Sequence, residues 1–426
     1  MPRTLYICYF GLREPLVQTQ VLPYLRELRK GGPTSGANGG KPDTLDPVDV
    51  TLLTFEPEFR KTWTAEERKA VKEQLAAEGI EWHATGYHKW PSVPATFFDI
   101  LNGTRIVWNL MRRQKYDVLH GRVHIPTLMG AVARKFSRQK PKLLFDIRGF
   151  FPEEYTDAGR WPEGGWLYRA AKRVERWLLK ESDGFVVLTE KARDILFPES
   201  KETGFDRLGR PVEVIPCCVD LERFRGGVSR EEARSRLGVE DKFVIAYIGS
   251  FGGWYMTDEM MDFFETAREF RPDTFVLILT QREKEKVANL LRQRGFEDKD
   301  FLVTSVKPDE IADHLAAGDV ALSFIKACYS KQSSSPTKIA EYLACGLPVI
   351  ANPGVGDLDT LIGGKAGTLV GDFERESYMT ALANAPRLTN PNGQDRTEMA
   401  LEFDLVDVGG VRYRRIYKRL LDGQFS

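Results

Sequence analysis

Residues 333–352 read Ser-Ser-Ser-Pro-Thr-Lys-Ile-Ala-Glu-Tyr-Leu-Ala-Cys-Gly-Leu-Pro-Val-Ile-Ala-Asn. The order of residue types predicts a loop, a short helix, a sharp stop and a strand. Ser335 is a good N-cap and Pro336 suits the first helical position. Gly346 supplies the left-handed residue that ends the helix, and beyond Pro348 a short apolar strand covers Val349–Ala351. A helix of about three turns needs packing to hold it, here through Ile339 and Leu343. On its polar face Thr337 and Glu341 are four residues apart and share a side. The first-turn amides form an anion site, to which Lys338 adds a full charge. Glu341 lies about 7 Å further along the axis, at about 1.5 Å per residue. That separation suits a nucleotide whose diphosphate meets the helix start and whose ribose meets a carboxylate. It suits equally a capped helix in an α/β domain with a surface Glu.

Around this stretch, apolar β-rich runs alternate with helical patterns along almost the whole chain, which predicts parallel α/β sheets. Strands are expected near 4–10, 48–55, 80–87, 117–120, 142–147, 184–188 and 212–215, then near 243–248, 274–279, 301–303, 320–324, 347–351 and 367–370. Two comparable sets imply two Rossmann-like domains in tandem. The break is expected after Val214-Ile215-Pro216-Cys217-Cys218, giving domains 1–218 and 219–407. The basic amphipathic helix near the C-terminus, within 408–426, is expected to return to the first domain.

At 426 residues the chain can bury two substantial cores. It is 42% hydrophobic and 29% charged with zero formal net charge, so bulk charge points to neither nucleic acid nor membrane, and no nucleic-acid partner is expected. The distribution says more: residues 101–180 hold 17 Lys/Arg against 7 Asp/Glu. Solvated helix faces would explain this run, as would attraction to an anionic membrane or a polyprenyl-diphosphate acceptor. Cys8, Cys217, Cys218, Cys328 and Cys345 show no metal spacing, and an odd count with an adjacent pair suggests reduced thiols and a cytoplasmic setting. No apolar run reaches about 18 residues, so no transmembrane helix is expected.

Several loops are placed to meet a ligand. Gly11 follows the first strand and would let the loop approach a diphosphate; a helix is expected from Leu16 to Arg29. Residues 31–47 form a low-complexity stretch, read as a mobile insertion. Asp146 and Arg148 alternate at the end of a strand, and Glu153 and Glu154 lie just beyond. Ile248-Gly249-Ser250-Phe251-Gly252-Gly253 links a strand to a helix, with glycines that permit backbone approach to phosphate. Asp357-Leu358-Asp359 reads as a helix start, and no metal site is expected.

The 333–352 stretch resembles the nucleotide-sugar site of the retaining glycosyltransferases of family 4, which have the GT-B fold: two Rossmann-like domains facing across a cleft. Glu341 matches the second Glu of that family's paired glutamates, and Cys345-Gly346-Leu347-Pro348-Val349 matches its turn. Ser333 stands where the first Glu is usual. The resemblance is closest to a subgroup with Ser-Pro-Thr-Lys before the helix and Asp146-Ile147-Arg148-Gly149 earlier. The segment 14–25 resembles the family's opening loop and helix. Ser250 occupies the place of a common diphosphate-binding Arg, and the Lys that usually follows is missing, so Lys326, Lys331 and Lys338 are the nearest replacements.

The resemblance implies a nucleotide diphosphate sugar donor on the second domain, with no further cofactor. Gly11, Ser250, Gly252, Gly253, Lys326, Lys331, Ser334, Ser335, Pro336, Thr337, Lys338 and Glu341 would bind it. The first domain would take a glycan or polyprenyl-linked acceptor, with Glu14, Gln18, His120, Glu153 and Glu154 on that side. Arg122, Asp146 and Arg148 would serve the chemistry; Arg122 stands where many relatives have a His. The expected reaction is metal-independent transfer with retention, in bacterial surface polysaccharide or glycolipid synthesis, at or near the inner face of the membrane. A nucleotide-sugar epimerase using Asp146, His120 or His124 is one alternative, and a degenerate glycan- or lipid-binding partner subunit another. A dinucleotide dehydrogenase is disfavoured, since no Gly-x-Gly-x-x-Gly follows Phe10 or Ile248.

Overall fold

The computed structural model describes residues 1–34, 43–224, 227–363, 366–388 and 394–423. The chain divides into two compact units, Met1–Pro216 with Leu405–Ser426, and Cys217–Asp404.

The first unit is built on β1 (Arg3–Cys8), β2 (Asp49–Pro57), β3 (Ile80–Tyr87), β4 (Val118–Arg122), β5 (Lys142–Ile147), β6 (Gly184–Val187) and β7 (Val212–Val214). They form one sheet in the order β3-β2-β1-β4-β5-β6-β7, every pair parallel. Inner strands such as β1 and β5 are mainly apolar and buried because both faces are covered, while the edge strand β3 is mixed and only half-buried. Ile7, Leu53, Phe55, Leu119 and Phe145 pack there against Val107, Met111 and Met129 of the helices α1 (Ser92–Arg113) and α2 (His124–Phe136). A third helix, α3 (Trp166–Glu181), lies beside α2.

The second unit repeats the plan with β8 (Phe243–Ile248), β9 (Thr274–Leu279), β10 (Phe301–Thr304), β11 (Val320–Ser323), β12 (Val349–Ala351) and β13 (Gly367–Leu369). Their order is β10-β9-β8-β11-β12-β13, again all parallel. Both sheets thus start with the doubly wound 3-2-1-4-5 order, and each reverses direction beside its first strand. The switch points fall between β1 and β4, and between β8 and β11. Helix α4 (Thr337–Ala344) packs Ile339, Tyr342 and Leu343 onto Ala246, Ala321 and Val349.

Three local expectations are corrected. The helix expected over Leu16–Arg29 is broken into Pro15–Gln20 and Leu22–Lys30 at Val21, because Pro23 lacks the N–H that a continuous helix needs. Residues 31–47 are not a bare loop: Gly32–Pro33 pairs with Thr44–Leu45 as a short antiparallel ribbon; the centre, 35–42, lies outside the described residues. Helix α4 starts one residue later than expected, with Pro336 at the N-cap. The Ser335 hydroxyl does not cap it, but accepts a hydrogen bond from the Cys217 amide at 3.1 Å.

The basic helix α5 (Val411–Asp422) belongs to the first unit. Its charges are used internally. Arg414, 3% exposed, meets Glu27 at 3.2 Å, while Arg415 and Arg419 meet Glu213 at 3.3 and 2.9 Å. Among the described residues no helix is long and apolar enough to cross a membrane.

Candidate functional site

In the second unit, the loops that leave β8 and β11 are joined at the switch point. Lys326 N–H donates to the Trp254 carbonyl at 2.9 Å and Met256 N–H to that of Phe324 at 3.3 Å; Tyr255 and Ile325 form a β-bridge. Gly252 and Gly253 are both left-handed (φ +74 and +64°), a turn that favours glycine. A Cβ at either would meet nothing within 4 Å, so this part of the loop is open. Ser250 is exposed, and its carbonyl accepts from the Tyr247 hydroxyl at 2.7 Å. Lys331 is buried with its ammonium 4.0 Å from the Trp254 ring centroid. Ser333 is also buried, its hydroxyl donating to the Ser330 carbonyl.

Helix α4 is pinned beneath these loops. The Tyr342 hydroxyl accepts from the Ile248 amide (2.8 Å) and donates to the Leu322 carbonyl (3.2 Å), tying the helix to β8 and β11. This orientation turns Lys338 inward, which corrects the expectation of an exposed charge on the first turn. Its side chain is 7% exposed, with Nζ over the rings of Tyr247 and Tyr255 at 4.2 and 4.4 Å. The amine has no hydrogen-bond partner among the described residues. Burial lowers its pKa to about 7, against a partial counter-effect of Glu341. Glu341, one turn along, is half-buried. Burial raises its pKa, with Arg223 and Lys338 opposing the shift. Arg223 lies in the linker, remote in sequence from α4, and nothing local pointed to it.

Gly249 explains how the lysine fits. A Cβ there would stand 2.8 Å from Lys338 Nζ, on a backbone at φ +138°. Gly249→Ala is expected to lower stability by about 1–3 kcal/mol, the usual cost of a side chain in such a conformation. Urea unfolding of the variant checks this.

In the first unit the switch point holds a buried charge cluster. Asp146, fully buried, accepts from the Tyr413 hydroxyl of α5 at 2.8 Å and from His120 Nε2 at 3.4 Å. Arg122 and Arg148 stand 3.7 and 3.6 Å from its two oxygens. Burial alone would raise the Asp146 pKa; Arg148, the His120 hydrogen bond and Arg122 outweigh it and hold the carboxyl well below its usual range. Burial lowers the pKa of His120. Its Nδ1 shares a 2.9 Å hydrogen bond with the Tyr417 hydroxyl. Arg122 Nη1 donates to the Gln20 carbonyl at 3.2 Å. The next residue, Val123, has φ +63°, a strained conformation for a β-branched side chain. Strain of this kind gathers at functional turns.

The structure thus brings Arg122, Asp146 and Arg148 together, but inside the protein, with His120. The expectation that Asp146 and His120 face a ligand is corrected: each is 0% exposed, because α5 covers them with two tyrosines that sequence reasoning did not connect to them. Other first-unit residues serve their own loops. Glu14 accepts from the Gly11 amide at 3.0 Å and Gln18 donates to the Leu12 carbonyl at 2.6 Å. Gly11 is small because a Cβ would stand 2.8 Å from Pro57 and 3.0 Å from Glu56, so packing already accounts for it without a phosphate. Glu56, unforeseen, clasps the Leu12 amide at 2.9 Å. Glu153 accepts from Lys172 and the Tyr168 hydroxyl of α3 at 2.9 and 3.1 Å; Glu154 lies against Gly149. His124 is buried against Glu175 at 3.0 Å. Among the described residues no group of three His, Cys, Asp or Glu could hold a metal ion, Asp357 and Asp359 included.

Residues 48–223 match the family model Glycosyltransferase Family 4, and residues 242–385 match Glycosyl transferases group 1. The chain is similar to the 2-deoxystreptamine glucosyltransferase of Streptomyces kanamyceticus, 27% identical over 198 residues, 45% of this chain and 47% of that protein. It is also similar to D-inositol 3-phosphate glycosyltransferase 2 of Catenulispora acidiphila, 30% identical over 200 residues, 43% and 45% of the two. The matches span just under half the length of these curated relatives. Among solved structures, Anabaena Alr3699/HepE in complex with UDP and glucose superposes with TM-score 0.64 at 15% identity, covering 99% of both chains. A UDP-N-acetylglucosamine 2-epimerase superposes with TM-score 0.56 at 14% identity, covering 99% of this chain and 96% of that one. The architecture is the two-domain GT-B fold. Within it, the two family models together cover most of the chain, which is similar to the glycosyltransferases of family 4.

Proposed function

We propose that the protein transfers a sugar from a nucleotide diphosphate sugar to a glycan or lipid-linked acceptor. One observation carries this reading. At the switch point of the second sheet a buried amine, Lys338, has no hydrogen-bond partner among the described residues, and it lies one helical turn from a half-buried carboxylate, Glu341. An anion is the partner that such an amine lacks, because a buried cation is stable only when paired. A diphosphate supplies it. The open Gly252–Gly253 turn and the start of α4 add amide donors, and Lys326 and Lys331 line the loop beside it. Ser334, Ser335 and Pro336 set the entry to the helix. The Glu341 carboxylate is then the acceptor for ribose hydroxyls. The two family models and the UDP-bound neighbour support this assignment.

In this reading charge on the departing diphosphate is stabilised by Lys338 and the loop amides, groups fixed before the reaction begins. Transfer proceeds with retention and needs no resident cofactor. Arg122 and Arg148, held by Asp146, set the form of the first unit's switch point, where the acceptor binds.

Thermal stabilisation across UDP-, GDP-, ADP- and dTDP-sugars tests the proposal, since a specific donor raises stability by mass action. Glu341→Ala should weaken the preferred donor by about tenfold or more, the worth of a hydrogen bond to a charged group. Unchanged donor affinity in that variant would remove Glu341 from the site. The epimerase alternative predicts an altered sugar when donor is incubated without acceptor. The burial of His120 and Asp146 speaks against it.

A further inference from the structure

The first unit carries an apolar face with no partner among the described residues. Helix α1 follows β3, so it begins at the carboxyl edge of the sheet, the edge where ligands bind. In its first turns Val93, Phe97 and Leu101 recur every four residues, and Phe98 and the preceding Trp90 widen the stripe. All five are exposed, from 47% for Val93 to 86% for Trp90. Isolated exposed apolar residues are ordinary, but a contiguous group of this kind marks an interaction surface. The backbone beneath it is firmly held. Asp99 accepts from the Tyr9 hydroxyl at 2.7 Å and the His88 amide at 2.9 Å, and pairs with the His88 ring at 2.6 Å.

Charge identifies the occupant. Between residues 88 and 116 the chain has Lys89, Arg105, Arg112, Arg113 and Lys115 against a single acid, Asp99, and Asp99 is fully buried. The exposed side of this segment is therefore wholly cationic. Helices α1, α2 and α3 pack in that order, so the surface extends. Helix α3 leads into β6, so its exposed first residue, Trp166, lies toward the same edge. Arg169, Arg173, Arg176 and Lys180 then follow at helical spacing along the exposed side of α3, with no carboxylate partner among the described residues. A second copy of the chain would bring like charges together across such a face. Nucleic acid would leave the aliphatic Val93 and Leu101 without a role. Aromatic and aliphatic side chains beside cations alone match the boundary of an anionic bilayer.

We propose that the first unit docks on an anionic lipid bilayer through this edge. Trp90, Val93, Phe97, Phe98 and Leu101 enter the headgroup boundary, and Arg105, Arg169 and Arg173 meet lipid phosphates. The inference goes beyond the transfer reading and does not rest on it.

The test is flotation of the full chain with vesicles of phosphatidylcholine, alone or mixed with phosphatidylglycerol, at low and high salt. The protein should float with the mixed vesicles at low salt, and salt should weaken the association. The double variant Phe97→Ser/Phe98→Ser should lose about tenfold or more in vesicle partitioning, given the apolar area it withdraws. Both residues are exposed, so its melting temperature and donor binding should match the parent protein. Trp90→Phe should abolish a blue shift of the emission seen on vesicle addition. Three results would overturn the inference: no preference for anionic vesicles, partitioning unchanged in the double variant, or a dimer in ultracentrifugation that the same variant dissolves.

Discussion

Lys338→Met should raise thermal stability while cutting donor affinity by about tenfold to a hundredfold. The two effects have one cause. In the ligand-free protein the amine is buried against Tyr247 and Tyr255, without a hydrogen-bond partner among the described residues. Methionine keeps the unbranched shape and removes the desolvation cost of the charge. With donor bound the amine gains a phosphate, and a charge-assisted hydrogen bond is worth about 1.5–3 kcal/mol. A residue whose removal stabilises the free protein and weakens its complex is there for binding, the trade expected of functional groups.

The pH dependence follows. The pKa of Lys338 is lowered from 10.5 to about 7 in the folded protein. Between about 7 and 10.5 the unfolded chain holds a proton there that the folded chain has released. Stability contributed at this site therefore rises with pH across that window and is flat below it. The methionine variant should lose this rise. Donor binding runs the other way: the diphosphate favours the charged amine, so affinity falls as pH rises above about 7, and binding near pH 8 takes up a proton. Calorimetric titration in buffers of different ionisation enthalpy measures that uptake. Binding without proton uptake, and with equal affinity in the methionine variant, would place the diphosphate elsewhere.

This site shows where sequence was informative and where it stopped. Many strands were legible because they are short, mainly apolar runs, such as Phe243–Ile248 and Thr274–Leu279, which a strand covered on both faces requires. The stop at Gly346 was legible for a local reason too, and its φ is +69°. The sequence reading has Lys338 adding a full charge to the anion site of the first turn, whereas its amine is buried. Its burial depends on Tyr247 and Tyr255, about 80–90 residues earlier in the chain, and no pattern inside α4 encodes them. Ser335 had the local chemistry of a cap, yet Cys217, 118 residues away, takes its hydroxyl. Gly11 was read as room for phosphate, while the space it leaves is filled by Pro57 and Glu56. Local rules placed elements and their ends; what failed was the inference from a residue type to the neighbour it meets.

Asp146→Asn should destabilise the protein by about 3–5 kcal/mol, the cost of leaving a buried charge without its partner. Two guanidinium groups, Arg122 and Arg148, depend on this one carboxylate inside the protein, and the Tyr413 hydroxyl would lose its charged acceptor. Asparagine keeps the shape, so the loss reports charge rather than packing. Tyr413→Phe, which removes only one hydrogen bond to the carboxylate, should cost less, about 1.5–3 kcal/mol. The acid limb of stability provides an independent check. A carboxyl held below its usual 3.8 contributes stability that is complete above that value and is lost as pH falls below it. His120 acts earlier. Its folded pKa lies below 6.5, so the unfolded chain takes up a proton there first and stability declines as pH falls through that value. The parent protein should therefore weaken in two stages on acidification, and Asp146→Asn should remove the second. Urea titrations at a series of pH values resolve the stages. An unchanged limb below 3.8 in the asparagine variant would mean that Asp146 does not hold the arginines in place, and that α5 is kept on the first unit chiefly by its contacts with Glu27 and Glu213.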